Sequence, residues 1–214
     1  MSSAPIRNII FDFGGVLFEI DYHLPVKAFN ELGFEDFASI YTQAAQSEIF
    51  DRLETGKIAN EEFMTYIHSF VPQATRAQVD DAWNSILLRL MPEKVAYVQQ
   101  LRNQGFRTFM LSNTNAIHVA EFEKMIESSM GLEEFRKAFE KVYYSNVIGI
   151  KKPYPETYLQ VCAWNELDPA ETLFIDDSIQ HAVGAEKAGL HTLHLLPGQD
   201  LASVVDQKIQ DSRR

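Results

Sequence analysis

The 214 residues, 46% hydrophobic and 23% charged, suffice for one large core or a core with an insertion, and exclude a disordered or fibrous chain. A formal net charge of -11 argues against a nucleic-acid partner, which needs a basic face, but leaves room for a local cationic pocket made by a metal ion and a lysine. The lone cysteine, Cys162, permits no internal disulfide, and no segment is apolar enough for a signal region or a bilayer span, so a cytoplasmic setting without membrane contact is expected.

The chain opens on a strand. Ile6, Ile9, Ile10 and Phe11 form an apolar run that delivers Asp12 into the turn Gly14-Gly15. A carboxylate at the C-terminal end of a strand, beside a glycine loop, sits where open α/β sheets hold their ligands. From Tyr22 to Leu90 the pattern is helical, with no convincing strand. Leu24, Phe29 and Leu32 mark a helix that stops at Gly33, and Phe37, Ile40, Tyr41 and Ala44 mark a second running toward Phe50. Leu53 to Gly56 reads as a turn. Asn60 reads as the N-cap of a helix through Phe63, Tyr66, Ile67 and Phe70 that Pro72 ends. Thr75 and Gln78 fit a capping box ahead of Val79 and Trp83.

Helix and strand alternate from Pro92 onward. A helix through Val95, Val98 and Leu101 closes at Gly105, and the strand 106–111 runs into Ser112-Asn113-Thr114-Asn115. A helix through Val119, Phe122, Met125 and Ile126 precedes a short apolar run, 142–145. After the loop Gly149 to Pro153, a helix starts at Pro155 and holds Cys162 in its apolar pattern. Leu173-Phe174-Ile175 is a brief strand ending in Asp176-Asp177; a helix from Ile179 to Ala188 then ends at Gly189, and 191–195 is the last strand. Residues 200–214 read as a marginal surface helix that frays. This alternation predicts a parallel sheet with helices on both faces.

In such a sheet the strand ends share one edge, so Asp12, Ser112, Lys152 and the Asp176-Asp177 pair converge. Each alone fits a turn, a cap or a solvated lysine; the ordered set is what carries information. Carboxylates, a hydroxyl and a lysine together suit phosphoryl transfer, which is mostly positioning and charge neutralisation. Asp12 would attack phosphorus to form an aspartyl-phosphate, and the paired carboxylates are a hard-oxygen site of the kind Mg²⁺ prefers. Lys152 and the Ser112 hydroxyl would meet the phosphoryl oxygens.

The runs Phe11-Asp12-Phe13-Gly14-Gly15-Val16-Leu17, Leu111-Ser112-Asn113-Thr114, Lys152-Pro153-Tyr154-Pro155 and Phe174-Ile175-Asp176-Asp177-Ser178 resemble, in order and spacing, the motifs of haloacid dehalogenase-superfamily hydrolases. The resemblance implies an α/β fold: a Rossmann-like parallel-sheet core, residues 1–18 and 91–214, with a small helical cap inserted at 19–90. It implies that Asp12 is the nucleophile and that Ser112 and Lys152 bind the phosphoryl group, with Asn113 and Gly15 beside the substrate. It implies Mg²⁺ on Asp12, Asp177 and the Gly14 carbonyl, with Asp176 helping through water. The expected partner is a small phosphorylated metabolite, a sugar phosphate or similar, and the expected state a monomer or weak homodimer.

One position departs from the pattern. Phosphatases of that superfamily place an acid/base Asp two residues after the nucleophile, where this chain has Gly14. A general acid contributes about 10²–10⁴-fold. Anomeric, acyl and aryl leaving groups are therefore expected to be favoured over simple alkyl esters, and a phosphomutase is disfavoured. Glu19, Asp21 and His23 are the candidates for a substitute proton. Haloacid dehalogenases also lack that Asp, but they use no metal and lack the paired carboxylates. Asp176-Asp177 therefore favours a metal-dependent phosphatase, similar to bacterial glucose-1-phosphate phosphatases and the N-terminal domains of soluble epoxide hydrolases. The alternatives are a metal-independent 2-haloacid dehalogenase and a catalytically weak phospho-ligand-binding protein. His181 is expected to cap or pack nearby, and His191 and His194 to be structural. Most aromatics of residues 19–90 are expected in that block's own core, with a minority lining the cleft that faces Asp12.

Overall fold

The strands are short, and their burial explains their composition. A computed structural model describes residues 4–41 and 48–214. Among these, seven strands form: β1 (Asn8–Phe11), β2 (Phe18–Ile20), β3 (Leu87–Leu90), β4 (Arg107–Ser112), β5 (Lys141–Tyr144), β6 (Thr172–Asp176) and β7 (His191–His194). Five make one parallel sheet in the order β5-β4-β1-β6-β7. Central β1 is buried on both faces, which is why it reads as a continuous apolar run. Ile9 and Phe11 point into a cluster with Val95, Leu101, Phe122 and Ile126, from helices Pro92–Asn103 and Ala116–Ser129. Ile10 points the other way, onto Tyr158, Val161 and Ala185 of helices Pro155–Trp164 and Ile179–Lys187. Cys162 is buried in this second layer, as its apolar setting predicts.

The C-terminal segment corrects the sequence reading. Helix Leu201–Asp211 buries Leu201, Val205 and Ile209, one stripe at four-residue spacing, in the same cluster as β1. Asp200 caps it by accepting from the Ser203 N–H, and Ser212 Oγ accepts from the Ile6 N–H at 3.1 Å. The stripe is short and flanked by polar residues, so its partner surface, not its own pattern, fixes it.

Between β2 and β3 lie the helices His23–Glu31, Phe37–Ile40, Glu48–Glu54, Asn60–His68 and Arg76–Asn84. Their aromatics make a separate cluster that includes Phe29, Phe37, Phe50, Phe63 and Trp83. The capping box forms: Thr75 accepts from the Gln78 N–H, and the Gln78 side chain accepts from the Thr75 N–H. Asn60 is not the cap. Extended Ala59 holds that position, and Asn60 is the first helical residue. The helix ends at His68, before Pro72. Ala44 lies outside the described residues. The expectation of no strand in this block fails at its far end, where β3 pairs antiparallel with β2 and Arg89 meets Glu19 at 2.7 Å. Ile86-Leu87-Leu88-Arg89-Leu90 carries no strand periodicity, because the pairing is set by a segment some seventy residues away. No helix among the described residues is long and apolar enough to cross a membrane.

Candidate active site

Because the strands are parallel, their C-terminal ends meet at one edge. The β1–β6 register, Phe11 to Ile175, carried on by one residue, sets Asp12 level with Asp176, and the Asp12 N–H donates to the Ile175 carbonyl at 2.9 Å. Lys152 reaches both carboxylates: Nζ donates to Asp12 Oδ1 at 2.6 Å and to Asp176 Oδ2 at 2.7 Å. Its side chain is fully buried, so the bland reading of a solvated lysine fails. Asp12, Asp176 and Asp177 each offer a carboxylate oxygen within 4.8 Å of the others. Such a cluster is the donor set a hard divalent cation takes, and one lysine balances only part of its charge.

The surrounding chain builds this geometry. Asn113, just past β4, clamps the Lys152 main chain: its Nδ2 donates to the Lys152 carbonyl at 2.9 Å, and its Oδ1 accepts from the Lys152 N–H at 3.0 Å. Gly184 lets helix Ile179–Lys187 seat on the same loop, since a Cβ there would overlap the Pro153 carbonyl. Gly15 has φ +75° and faces the Asp177 carboxylate with no room for a Cβ. Asp176 is fully buried and accepts from the Ser178 N–H at 2.8 Å, with His181 Nδ1 at 3.0 Å. His181, expected only to cap or pack, therefore holds a member of the cluster. His194 Nε2 lies 3.0 Å from the Asp177 carbonyl and His191 Nε2 3.0 Å from that of Ala4, both structural contacts.

Burial and like charge shape the titration of the cluster. The Asp12 carboxyl is pushed up to about 6, first by burial and then by Asp176, against the pull of Lys152. Asp177 is pushed up to about 7 by burial, Asp12 and Asp176. Burial works against the charge of Asp176 too, but Lys152 and His181 outweigh it and hold that carboxyl below its ordinary value. Burial likewise opposes the Lys152 ammonium, and the two carboxylates beside it hold it above its ordinary range.

Over the cluster lies a cavity lined by Asp12, Gly14, Ser112, Asn113, Lys152 and Asp177 on the sheet side, where the sequence places them. Gly15 and Asp176 stand behind this lining. Glu19, Asp21 and His23 do not reach it: Glu19 is paired with Arg89, and Asp21 Oδ1 accepts from the His23 N–H at 2.8 Å. The rest of the wall is largely apolar: it includes Ile20, Tyr22, Tyr41, Phe50, Leu53, Trp83, Ile86, Leu87 and Phe122, with Glu54 and His118 among its polar members. Sequence reasoning missed Tyr22, Glu54 and His118 as lining residues. Nothing local distinguishes them, because only the packing of the helical block on the sheet edge brings them there.

Fold and site together define a Rossmann-like enzyme with a carboxylate–lysine centre at the C-terminal edge of its sheet. The model of haloacid dehalogenase-like hydrolases matches residues 6–189, and the chain belongs to that family. It is 31% identical over 196 residues to a D-ribitol-5-phosphate phosphatase of Bacteroides thetaiotaomicron, covering 91% of this chain and 94% of that protein. A solved HAD family enzyme of the same organism, in complex with magnesium and inorganic phosphate, superposes with a TM-score of 0.84 at 30% identity over 94% of this chain and 98% of the other. A HAD-like family hydrolase of Porphyromonas gingivalis gives 0.82 at 32% identity, over 97% and 99%.

Proposed function

We propose that this hydrolase is an Mg²⁺-dependent phosphatase that acts on a small phosphorylated metabolite through an aspartyl-phosphate on Asp12. The observation that carries the reading is the convergence of Asp12, Asp176 and Asp177 around a buried Lys152 that engages two of them. The B. thetaiotaomicron relatives, one a phosphatase by name and one solved with magnesium and phosphate, support it.

The donor set fits the metal: Asp12, Asp177 and the Gly14 carbonyl would hold it, with Asp176 behind them. A bound Mg²⁺ would neutralise charge on the transferring phosphoryl group and on the carboxylates around it. Lys152 holds Asp12 by Oδ1, and the carboxylate's other oxygen would be the one to attack phosphorus. Asp12 forms the O–P bond as the ester P–O bond breaks, and the departing alkoxide takes a proton from water. A second water then attacks the phosphorus and returns Asp12 as a carboxylate. Lys152 and Ser112 Oγ meet the phosphoryl oxygens throughout, and Asn113 keeps Lys152 in register.

Residues 19–90 act as a cap that excludes bulk water during attack. Gly14 leaves the alkoxide without the usual acid, so aryl and anomeric esters are the faster substrates. The test is phosphate release with Mg²⁺ or chelator, with halide release from 2-chloropropionate as the competing arm. Metal-independent halide release without phosphate release would move the assignment to a dehalogenase.

A further inference from the structure

The chain passes between the sheet and the helical block at β2 and β3, and the two parts meet again far from there in sequence. Lys151 Nζ donates to Asp51 Oδ1 at 2.6 Å and to Glu54 Oε2 at 2.7 Å, both on helix Glu48–Glu54. The lysine side chain is only 13% exposed, and the two carboxylates hold its ammonium above the ordinary range although burial opposes the charge. Just past that helix, Gly56 has φ +65° and lies against the Asn146 carbonyl with no room for a Cβ. Asn146 belongs to the short helix Ser145–Ile148 that follows β5. An ion pair and a close backbone contact thus seat residues 51–56 on the core.

Both sides of this attachment lead to the centre. On the core side, Lys151 directly precedes Lys152. Thr157 Oγ1 donates to the Lys151 carbonyl at 2.7 Å and Asn113 Oδ1 accepts from the Lys152 N–H, so the backbone that presents the two lysines is fixed. On the other side, helix Glu48–Glu54 supplies Phe50 and Leu53 to the cavity wall. Adjacent lysines therefore reach in two directions: Lys152 to Asp12 and Asp176, Lys151 to the helix that walls the cavity.

A part-buried lysine shared by two carboxylates holds more firmly than an exposed ion pair, yet it parts without opening an apolar core. We propose that Lys151 is a positioning residue that clasps the helical block to the phosphoryl-binding loop and so sets how closely Phe50 and Leu53 close over Asp12. This rests on the phosphatase reading above and adds the contact that governs closure of its site: substrate enters and phosphate leaves when Lys151 parts from Asp51 and Glu54.

The test has a structural arm and a kinetic arm. The Thr55, Gly56 and Lys57 amides donate to the Asp51, Leu53 and Arg52 carbonyls. In native-state hydrogen exchange they should exchange on the order of tenfold faster in Lys151→Met than in wild type, with β1 and β4 amides unchanged. In phosphate release from phenyl phosphate with Mg²⁺, Lys151→Met should raise KM about tenfold and move kcat less than about threefold, because saturating substrate restores the closed state. Lys151→Arg should stay within about threefold of wild type in both arms. Asp51→Asn/Glu54→Gln should raise KM as Lys151→Met does, and adding Lys151→Met to it should cost nothing more. Should Lys151→Met fail to fold, that double variant carries the same test from the other side of the pair.

Unchanged exchange in Lys151→Met, or additive losses in the combined variant, would overturn the clasp and leave the phosphatase standing. So would a fall in kcat with KM unmoved, the pattern of a disturbed Lys152. Failure of wild type to release phosphate would instead overturn the phosphatase reading and the role in closure over substrate with it, while the exchange arm still decides whether Lys151 holds the block.

Discussion

The space beside Gly14 makes the missing acid testable. An ideal Cβ built on Gly14 would lie 2.9 Å from Ile20 Cδ1 and 3.7 Å from Ile20 Cγ1. The backbone there does not require glycine; the side chain of β2 fills the place an acid would enter. Gly14→Asp alone must therefore displace Ile20, an overpacking that costs about 1–3 kcal/mol. Ile20→Val removes Cδ1, the one clashing atom, for about 0.5–1.5 kcal/mol. Gly14→Asp/Ile20→Val should consequently admit the carboxyl with its neighbours in ordinary contact. If the acid limits turnover of poor leaving groups, the double variant should raise kcat/KM for n-propyl phosphate relative to phenyl phosphate by about 10²–10⁴-fold. Gly14→Asp alone should give less. The assay is initial-rate phosphate release on both esters, with circular dichroism to establish folding. A folded double variant with an unmoved ratio would refute the reasoning, because protonation of the leaving group would then not be what the chain lacks.

Two further perturbations follow. Lys152→Met should destabilise the fold by about 3–5 kcal/mol in urea titrations, because it strands two buried carboxylates; Asp176→Asn in that background should recover part, and a loss under 1 kcal/mol would contradict the buried pairing. His118 is buried and its pKa is held down to about 4 from an ordinary 6.5. The unfolded chain therefore takes up the proton first, and stability falls as pH drops from about 6.5 toward 4. Between pH 7 and 5 the advantage of wild type over His118→Gln should shrink by about 2 kcal/mol in urea midpoints, and an unchanged difference would mean that His118 protonates freely in the fold.

The sheet was legible because β1, β4 and β6 are buried on both faces and so advertise themselves as apolar runs, and because each ends in its chemical residue. Those strand ends set Asp12, Ser112 and Asp176-Asp177 at one edge, although each alone fits a turn or a cap and only the ordered set points to a site. Lys152 needed the motif order, since a lysine in a loop carries no sign that it will be buried. β3 and the packed C-terminal helix were hidden because their stability comes from distant partners: Glu19 and β2 for one, the β1 layer for the other. Glu54 and Tyr22 were hidden for the same reason. Their neighbours in sequence are helical surface and core, and only the docking of the helical block on the sheet edge makes them part of a cavity.

The most direct test of the central claim is phosphate release from phenyl phosphate by wild type and Asp12→Asn, each with Mg²⁺ and with chelator. The account predicts release by wild type with Mg²⁺, loss of it with chelator, and loss of it in Asp12→Asn under both conditions. Release that survives in folded Asp12→Asn, or that ignores the chelator, would contradict it.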